Sequence, residues 1–491
     1  MHALAASGTR PVMSCLLAAA IVISPLLHWS LLGGAGYHDK QRLVQLGVSV
    51  AAGLLVAWVF WRNLRLPHLV SKPVATLLAV FFALGLLSST MAYSSRHALL
   101  EWSNLLLLLG VAWLVAMEVN RLGETWLDTL LRVNGLGCVL YVLLAITVYG
   151  VMLRTGQQPG ASLLIPGFDN HRFFSHTQTV SLPLLALLAT RTQDRERKVF
   201  WWSITVLWWM LLCVAAGRGT VMGLLAGSGV IVCLWRNRSA RHWCLSMWAT
   251  GLAGLTAYLL LYVLLPVANG LKPFGFLVTA VERSVDNPTS GRLQLWARAL
   301  EMVANHPWLG AGPLHFAHEA RDLQLGAHPH SWVLQVASEW GLPATLCLAV
   351  AVTIGFGALW RARVFLPADD TRDTCTLAAW LVAGIAIVVD GLVSGLIVMP
   401  ASQLWIAMYL GCAWGWVSLR RGGQPVTLSD VPARGARVAV LVLVPLLVCA
   451  LLLGVWPEMR DIQAHEQQAN QDSRGTSSVT LRPRILRAGY F

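Results

Sequence analysis

The 491-residue sequence contains few charged side chains, because Asp, Glu, Lys and Arg together make up only 12% of it. Soluble globular domains carry about a quarter charged residues. This scarcity, with a hydrophobic fraction of 56%, excludes a soluble globular enzyme, a disordered chain and a coiled coil. The composition instead predicts an integral membrane protein.

Sequence signatures of three common chemistries are also missing. The nine cysteines form no Cys-x-x-Cys pair and lie in or beside apolar segments, which indicates packing rather than disulfides or metal binding. The sequence has neither a glycine-rich phosphate loop for nucleotides nor a nucleophile elbow for a catalytic serine. His315 and His318 have the spacing of two metal ligands on a helix, but no third ligand motif accompanies them. We therefore expect no cofactor and no metal.

Long apolar runs account for most of the chain. A membrane-spanning helix needs about 20 mostly apolar residues. Thirteen candidate segments occur, at 13–33, 44–61, 73–91, 98–117, 133–152, 177–190, 199–217, 219–235, 243–266, 332–359, 376–397, 402–419 and 438–456. Since the sixth is short and the seventh and eighth nearly touch, we predict an all-α integral membrane protein with about 12–13 transmembrane helices.

The Lys and Arg residues indicate which loops face the cytoplasm. With the N-terminus in the cytoplasm, 20 of them fall in cytoplasmic loops and 11 in outward-facing loops, as the positive-inside rule requires. The net charge of +13 therefore needs no nucleic-acid partner. Four regions follow: spans one to nine over 1–266, with a short outward loop at 153–176; a long outward loop at 267–331; the remaining three or four spans over 332–456; and a polar, basic tail at 457–491.

The long outward loop has a predicted helix of its own. Leu293, Trp296, Leu300 and Val303 recur at helical spacing after a turn signal at 287–291. Asn305-His306-Pro307 ends that helix. Long ordered loops are commonly functional. We predict a surface helix that lies over the bundle, followed by a return to the membrane near His330.

Two arginines stand at positions that an ordinary surface arginine would not prefer. Arg218 lies between Gly217 and Gly219 at the outward end of a span, where the glycines would let a ligand approach the backbone closely. Arg292 begins the loop helix, where a cation opposes the helix dipole unless an anion shares the site. The alternatives are a snorkelling arginine at 218 and a solvated loop arginine at 292.

Further polar candidates lie near the same outward face. His330, in His328-Pro329-His330-Ser331, directly precedes the tenth predicted span, and two nearby arginines would lower its pKa and keep it neutral. Asp390 lies inside the eleventh span and needs a cationic partner. Arg172, in the shorter loop, either binds an anion or orders that loop. The alternatives are a boundary polar residue at 330 and a purely structural ion pair at 390.

A longer pattern begins at His330 and continues into the tenth predicted span. His330-Ser331 is followed by nine residues and then by Gly341-Leu342-Pro343-Ala344-Thr345. This resembles the motif of the O-antigen ligase superfamily, in which His and Asn, Ser or Gln precede nine positions and Gly-x-x-Gly-Thr, although Ala344 replaces a glycine. Gly217-Arg218-Gly219 resembles the arginine motif of the superfamily, and the segment from Arg292 resembles its long periplasmic loop. Asp390 falls where the ligases carry an essential aspartate.

The resemblance implies a multi-pass glycosyltransferase of the bacterial inner (cytoplasmic) membrane. Such an enzyme moves O-antigen polysaccharide from undecaprenyl pyrophosphate to a sugar hydroxyl of lipid A–core at the periplasmic face, without metal, by direct displacement with inversion. His330 would be the base, Arg218 and Arg292 would stabilise the diphosphate, and Asp390 would hold one of these groups. Further substrate contacts would come from Arg172, His328 and Ser331. The partners are then the lipid-linked donor, the lipid A–core acceptor and membrane lipid.

Three other functions stay open on the sequence. An O-antigen polymerase and a protein O-oligosaccharyltransferase belong to the same superfamily, and the motif does not separate their acceptors. A lipid-carrier flippase or transporter is the alternative from another class. Transporters place polar groups near the membrane midplane between repeated halves, whereas here the polar groups gather at the outward face and no repeat is evident.

Overall fold

In the computed structural model the chain is described over residues 11–26, 36–64, 69–156, 163–276, 291–366, 370–421, 434–462, 464, 467, 483–486 and 489–491. These residues contain helices and no strand. Nine of the helices in these ranges are long and apolar enough to cross a membrane. The predicted all-α integral membrane fold is confirmed.

Fifteen principal helices form the described part of the chain. They are α1 (Val12–Ile23), α2 (Tyr37–Trp61), α3 (Lys72–Met91), α4 (Ser95–Leu122), α5 (Glu124–Thr155), α6 (His171–Arg191), α7 (Arg195–Ala215), α8 (Arg218–Leu234), α9 (Arg238–Ala268), α10 (Arg292–Asn305), α11 (Trp332–Trp340), α12 (Leu342–Arg361), α13 (Thr371–Gly391), α14 (Pro400–Arg421) and α15 (Arg434–Arg460). The nine long apolar helices are α2, α3, α4, α5, α7, α9, α12, α13 and α15. The other four predicted spans correspond to α1, α6, α8 and α14, which are shorter or more polar.

Helix α6 forms the centre of the bundle. Every residue from 173 to 189 is buried, including a run of small hydroxyl and amide side chains. Helix α8 packs closely on α13 through glycines spaced four residues apart. A Cβ on Gly223 would lie 2.7 Å from the Ala386 carbonyl oxygen, and one on Gly227 would lie 2.7 Å from that of Val382. Small residues at this spacing let two membrane helices approach closely, and this contact fixes where α8 begins.

An ion-pair cluster marks one end of the bundle. It joins Arg191, Arg372 and Arg420 to Glu124, Asp128 and Asp373. Helices α5 and α13 begin there, and α6 and α14 end there. The start of α6 and the end of α13 therefore lie at the opposite end, which we call the site end. All three arginines of the cluster belong to loops that the sequence assigns to the cytoplasm.

The tenth predicted span, 332–359, is divided into α11 and α12 at Gly341. Gly341 has φ +85°, and a Cβ there would lie 2.3 Å from the Trp308 carbonyl oxygen. The positive φ and the close backbone approach both require glycine. The nine-residue helix α11 is too short to span a bilayer, so it belongs to the loop region and the span begins at Leu342.

Two other elements differ from their predicted form. Helix α13 ends at Gly391, and the chain forms non-helical turns up to α14, so the eleventh span stops short of the predicted residue 397. Helix α10 begins at Arg292 as predicted, but its buried face is formed by Leu295, Ala299 and Met302. Leu293 and Leu300 are each 58% exposed.

Candidate functional site

Asp390 is fully buried in the last turn of α13 at the site end. Its Oδ2 accepts a hydrogen bond from Thr179 Oγ1 at 2.6 Å, and His176 Nδ1 lies 3.8 Å from the same oxygen. Both partners are on α6. Among the residues the structure describes, Asp390 Oδ1 has no hydrogen-bond partner. A carboxylate is thus held between helices with one oxygen uncommitted.

Arg218 is the first residue of α8, directly beside this carboxylate. A Cβ on Gly219 would lie 2.2 Å from Asp390 Oδ1, and one on Gly217 would lie 2.6 Å from Ser175 Cβ. Close packing of α8 on α13 and α6 therefore requires both glycines, whereas the sequence suggested ligand approach as their reason. A carboxylate near a helix N-terminus interacts favourably with the dipole. The Arg218 side chain itself is exposed.

Arg292 joins this group from the long loop. It begins α10 and is half-buried. Burial lowers its pKa, the charge of Arg218 lowers it further, and the charge of Asp390 raises it. Three groups from separate parts of the chain therefore lie within electrostatic range of one another. Arg218 and Arg292 bring two guanidinium groups to this region, and guanidinium groups suit an anion.

His330 adds an imidazole to the same group and has an unusual backbone. Its φ is +54°, a left-handed conformation that non-glycine residues seldom adopt and that costs on the order of 1–3 kcal/mol. Trp296 of α10 donates from Nε1 to the carbonyl of the preceding residue, Pro329, at 3.0 Å. The following residue, Ser331, is buried at the N-cap position of α11. Helices α10 and α11 thus hold His330 from both sides.

The surroundings of His330 favour the neutral form of its imidazole. Burial lowers its pKa to about 3, and the charges of Arg292 and Arg172 act in the same direction. Arg172 is the second residue of α6, where Asn170 caps the helix by accepting from its backbone N–H at 2.9 Å. The same surroundings make the imidazole a weaker base than a free one.

His328 lies against His330, with ring centroids 4.1 Å apart. It is buried, and a Cβ on Gly395 would lie 2.4 Å from its Nε2. Burial lowers the pKa of His328, and the neighbouring His330 lowers it further. Neither ring nitrogen has a hydrogen-bond partner within the described ranges. The turn after α13, which contains Gly395, thus closes the site next to His328.

Comparisons with known proteins agree with the motif. The O-antigen ligase family model matches residues 203–349, a stretch that contains Arg218, Arg292 and His330. Over this stretch the chain is similar to the O-antigen ligase family. The O-antigen ligase of Pseudomonas aeruginosa is 31% identical over 189 residues, which cover 35% of this chain and 44% of that relative. Because the chain matches less than half of the relative's length, its activity has to be argued from the site.

The superfamily motif corresponds to one compact structural unit here. The nine residues between Ser331 and Gly341 are α11, which separates the histidine from the break before α12. Ala344, where the motif has glycine, is fully buried in a cluster that includes Phe81 and Trp340. The departure from the motif is therefore accommodated by packing.

Sequence reasoning missed His176 and Thr179. Thr179 Oγ1 also lies 2.7 Å from Thr220 Oγ1 of α8, so this pair links α6, α8 and α13 around Asp390. Arg172, His176 and Thr179 are spaced four and three residues apart and share one helix face. That spacing was the available signal, but the predicted boundary between the loop 153–176 and the span 177–190 separated Arg172 and His176 from Thr179.

Both ring nitrogens of His315, the first of the two histidines at metal-ligand spacing, are engaged in hydrogen bonds. His315 Nε2 accepts from Ser94 N–H at 2.9 Å, and its Nδ1 lies 2.9 Å from the Pro313 carbonyl. Both ring nitrogens are therefore committed to a neutral, hydrogen-bonded tautomer, and burial lowers the pKa of His315 to about 4. No group of three or more His, Cys, Asp or Glu side chains suited to a metal occurs in the part of the chain described.

Proposed function

We propose that this protein is an O-antigen ligase, which transfers O-antigen polysaccharide from undecaprenyl pyrophosphate to a sugar hydroxyl of lipid A–core. One observation carries the proposal. Arg218, Arg292 and His330 are far apart in the sequence, yet the charge of Arg218 lowers the pKa of Arg292, and that of Arg292 lowers the pKa of His330. Their convergence provides two cations beside a neutral imidazole.

The two arginines would stabilise the leaving group. Transfer breaks the bond between the anomeric carbon and a diphosphate oxygen, so negative charge develops on the diphosphate. Guanidinium groups bind phosphate oxygens in a bidentate manner, and preorganised cations stabilise such developing charge. The diphosphate would also relieve the repulsion between Arg218 and Arg292.

His330 would act as general base toward the acceptor hydroxyl. The arginine charges hold its pKa low in the free protein, and a bound diphosphate offsets those charges, so its pKa rises as the donor binds. The base is thereby strengthened when there is a donor to react with, because general bases work best with a pKa near the working pH. The hydroxyl oxygen forms the new glycosidic bond as the diphosphate leaves, and direct displacement inverts the anomeric centre.

Asp390 would hold the cations in place. Its carboxylate abuts the start of α8 and lies within electrostatic range of Arg292, so it orients the two arginines without neutralising both. Arg172, His328 and Ser331 are assigned substrate contacts, since all three lie at the site end. Neither nucleotide nor metal is assigned a role in the transfer.

We assign the protein to the bacterial inner membrane, with the site end in the periplasm. The positive-inside rule supports this orientation, because the arginines of the ion-pair cluster at the other end belong to loops that the rule assigns to the cytoplasm. A periplasmic site would also meet the donor after its lipid carrier has been turned outward.

Transfer in vitro tests the proposal. Purified protein is mixed with an undecaprenyl-pyrophosphate-linked glycan and lipid A–core, with and without excess chelator. We expect transfer by the wild type in both conditions, no transfer by His330→Ala, and nearly full transfer by the control His306→Ala, an exposed histidine of the same loop. Full activity of correctly folded His330→Ala would reject the assigned base.

The acceptor is tested separately, since the same chemistry would serve an O-antigen polymerase or a protein O-oligosaccharyltransferase. Deleting a ligase leaves long polymer on the lipid carrier, whereas deleting a polymerase leaves single repeats. Transfer to a peptide hydroxyl, with none to lipid A–core, would indicate the protein-directed enzyme.

A further inference from the structure

The C-terminal segment formed by residues 483–486 and 489–491 is inserted into the helix bundle beside the site. Arg484 is only 1% exposed, and Ile485 and Leu486 are also buried. Burial of an arginine is costly unless its charge is paired and its donors are satisfied. The partners of Arg484 therefore indicate what this segment does.

Arg484 pairs with a buried carboxylate of α11. Its Nη2 donates to Glu339 Oε2 at 2.6 Å, and each side chain is 1% exposed. The carboxylate of Glu101, on α4, lies 3.7 Å from the same nitrogen. Removing one partner of a buried pair leaves the other charge uncompensated, which destabilises far more than the loss of a surface pair. Glu339 thus depends on Arg484.

Glu339 in turn holds the loop that follows α10. Its Oε1 accepts from Phe316 N–H at 3.1 Å, and its backbone carbonyl accepts from Gly312 N–H at 3.0 Å. Phe316 is fully buried and packs with Leu295 of α10. Helix α10 begins with Arg292, and α11 follows His330 and Ser331. The residue that Arg484 neutralises therefore connects the two helices that hold the site.

The backbone of this segment also accepts hydrogen bonds from the helix bundle. Arg42 of α2 donates from Nε to the Ile485 carbonyl at 2.9 Å and from Nη2 to the Arg484 carbonyl at 3.0 Å. At the other end, the Phe491 ring stacks on His97 with centroids 3.8 Å apart, and its carbonyl oxygen lies 2.9 Å from His318 Nδ1. These contacts favour a fixed position for Arg484.

We propose that Arg484 is a positioning residue for the transfer reaction: its pairing with Glu339 fixes α11 and residues 311–316, and so holds His330 and Arg292 at the site. This inference rests on the proposed function for its role in transfer. The pairing itself is independent of any activity, so it can be tested with a structural measurement.

Hydrogen exchange of the full chain in lipid nanodiscs tests the pairing. The reporting amides are those of Ala311, Gly312 and Phe316, which donate to Ser338, to the Glu339 carbonyl and to the Glu339 side chain. We expect Arg484→Met to accelerate their exchange by on the order of 100-fold, because a buried carboxylate loses its partner, and to reduce transfer at least about tenfold.

Three further variants distinguish the effect of the ion pair between Arg484 and Glu339 from the effect of changing the size of the side chain at 484. Arg484→Lys keeps the charge and should restore slow exchange and most transfer. Glu339→Gln combined with Arg484→Met removes one charge of each sign and should restore both more than Arg484→Met alone. Arg460→Met is the control, because the Arg460 side chain is 72% exposed and lies 4.0 Å from the Asp461 carboxylate. This variant should change neither the exchange rates nor the transfer rate.

Several outcomes would overturn the proposal. Unchanged exchange in Arg484→Met would show that the loop does not depend on the pair, and failure of both Arg484→Lys and the double variant to restore slow exchange would show that charge is not the reason. Accelerated exchange with full transfer would reject the positioning role. Absence of transfer in the wild type would reject the proposed function, and the exchange rates would still decide the pairing.

Discussion

At His330, burial and neighbouring positive groups act in the same direction on one imidazole. Arg292 and Arg172 come from different helices, and both lower the pKa. A resting pKa of about 3 would make a poor base, but these charges are the ones that a diphosphate would offset. On the proposed function, the basicity of this histidine would therefore depend on whether donor is bound.

This dependence on donor gives a pH prediction. The ratio kcat/KM reports the free protein, and kcat reports the donor complex. Since His330 must be neutral to act as base, each parameter falls as the pH drops through the corresponding pKa. We expect the acidic limb of kcat to lie at higher pH than that of kcat/KM for donor. Because the pKa of the free protein is about 3, steady-state rates between about pH 4 and pH 8 should show an acidic limb in kcat and none in kcat/KM for donor. An acidic limb at the same pH in both parameters would contradict the prediction.

Arg292 is expected to bind the diphosphate through the geometry of its hydrogen-bond donors as well as through its charge. Arg292→Lys keeps a positive charge but loses the planar pair of donors that matches phosphate oxygens. We expect kcat to fall by about 10- to 100-fold with little change in expression. Arg298→Lys is the matched control on the same helix, because Arg298 pairs with the exposed Asp322 at 2.8 Å. Equal activity of the two variants would reject the diphosphate contact.

At the scale of elements, the start of α8 is set by close packing rather than by its own sequence. Gly219, Gly223 and Gly227 allow α8 to lie against α13, so that Arg218 begins the helix beside Asp390. The same contact makes the position of Arg218 sensitive to one methyl group. The position of Arg218 thus depends on three glycines that have no functional side chain.

Two glycines of α8 test this directly. A Cβ at Gly219 would lie 2.2 Å from Asp390 Oδ1, whereas one at Gly229 meets nothing within 4 Å. We expect Gly219→Ala to lower the free energy of unfolding by about 1–3 kcal/mol and to reduce transfer strongly. Gly229→Ala should be neutral or slightly stabilising, since alanine favours helix. Thermal unfolding and transfer measure both, and equal behaviour would refute the packing argument.

The elements also show how far the sequence could lead. Apolar runs predicted the helices. Arg218 at a span end, Arg292 at the start of the loop helix and His330 directly before a span were predicted as candidates. The break at Gly341 was missed because the run continues on both sides of it, and the close approach of Trp308 depends on tertiary packing. The pairing of Arg484 with Glu339 was equally hidden, since it joins residues 145 positions apart.

At the scale of the whole molecule, the proposed orientation is testable by labelling single introduced cysteines with an impermeant maleimide. Trp308 is 75% exposed and abuts Gly341, where α12 begins. Lys198 is exposed near the start of α7, at the end of the ion-pair cluster. We expect Trp308→Cys to be labelled in intact spheroplasts and Lys198→Cys only after the membrane is opened. The parent protein with its nine native cysteines is the control, and the reverse pattern would invert the orientation.

Helix α13 connects the ion-pair cluster at one end of the bundle to the candidate site at the other end. Asp373 belongs to the ion-pair cluster and Asp390 to the site, and at 1.5 Å per residue they are separated by about 25 Å. That length is close to the thickness of the hydrocarbon layer, roughly 30 Å. With the ion-pair cluster at one membrane surface, Asp390 and the groups around it would therefore lie near the headgroups of the opposite surface. A lipid-borne diphosphate would lie at the same level.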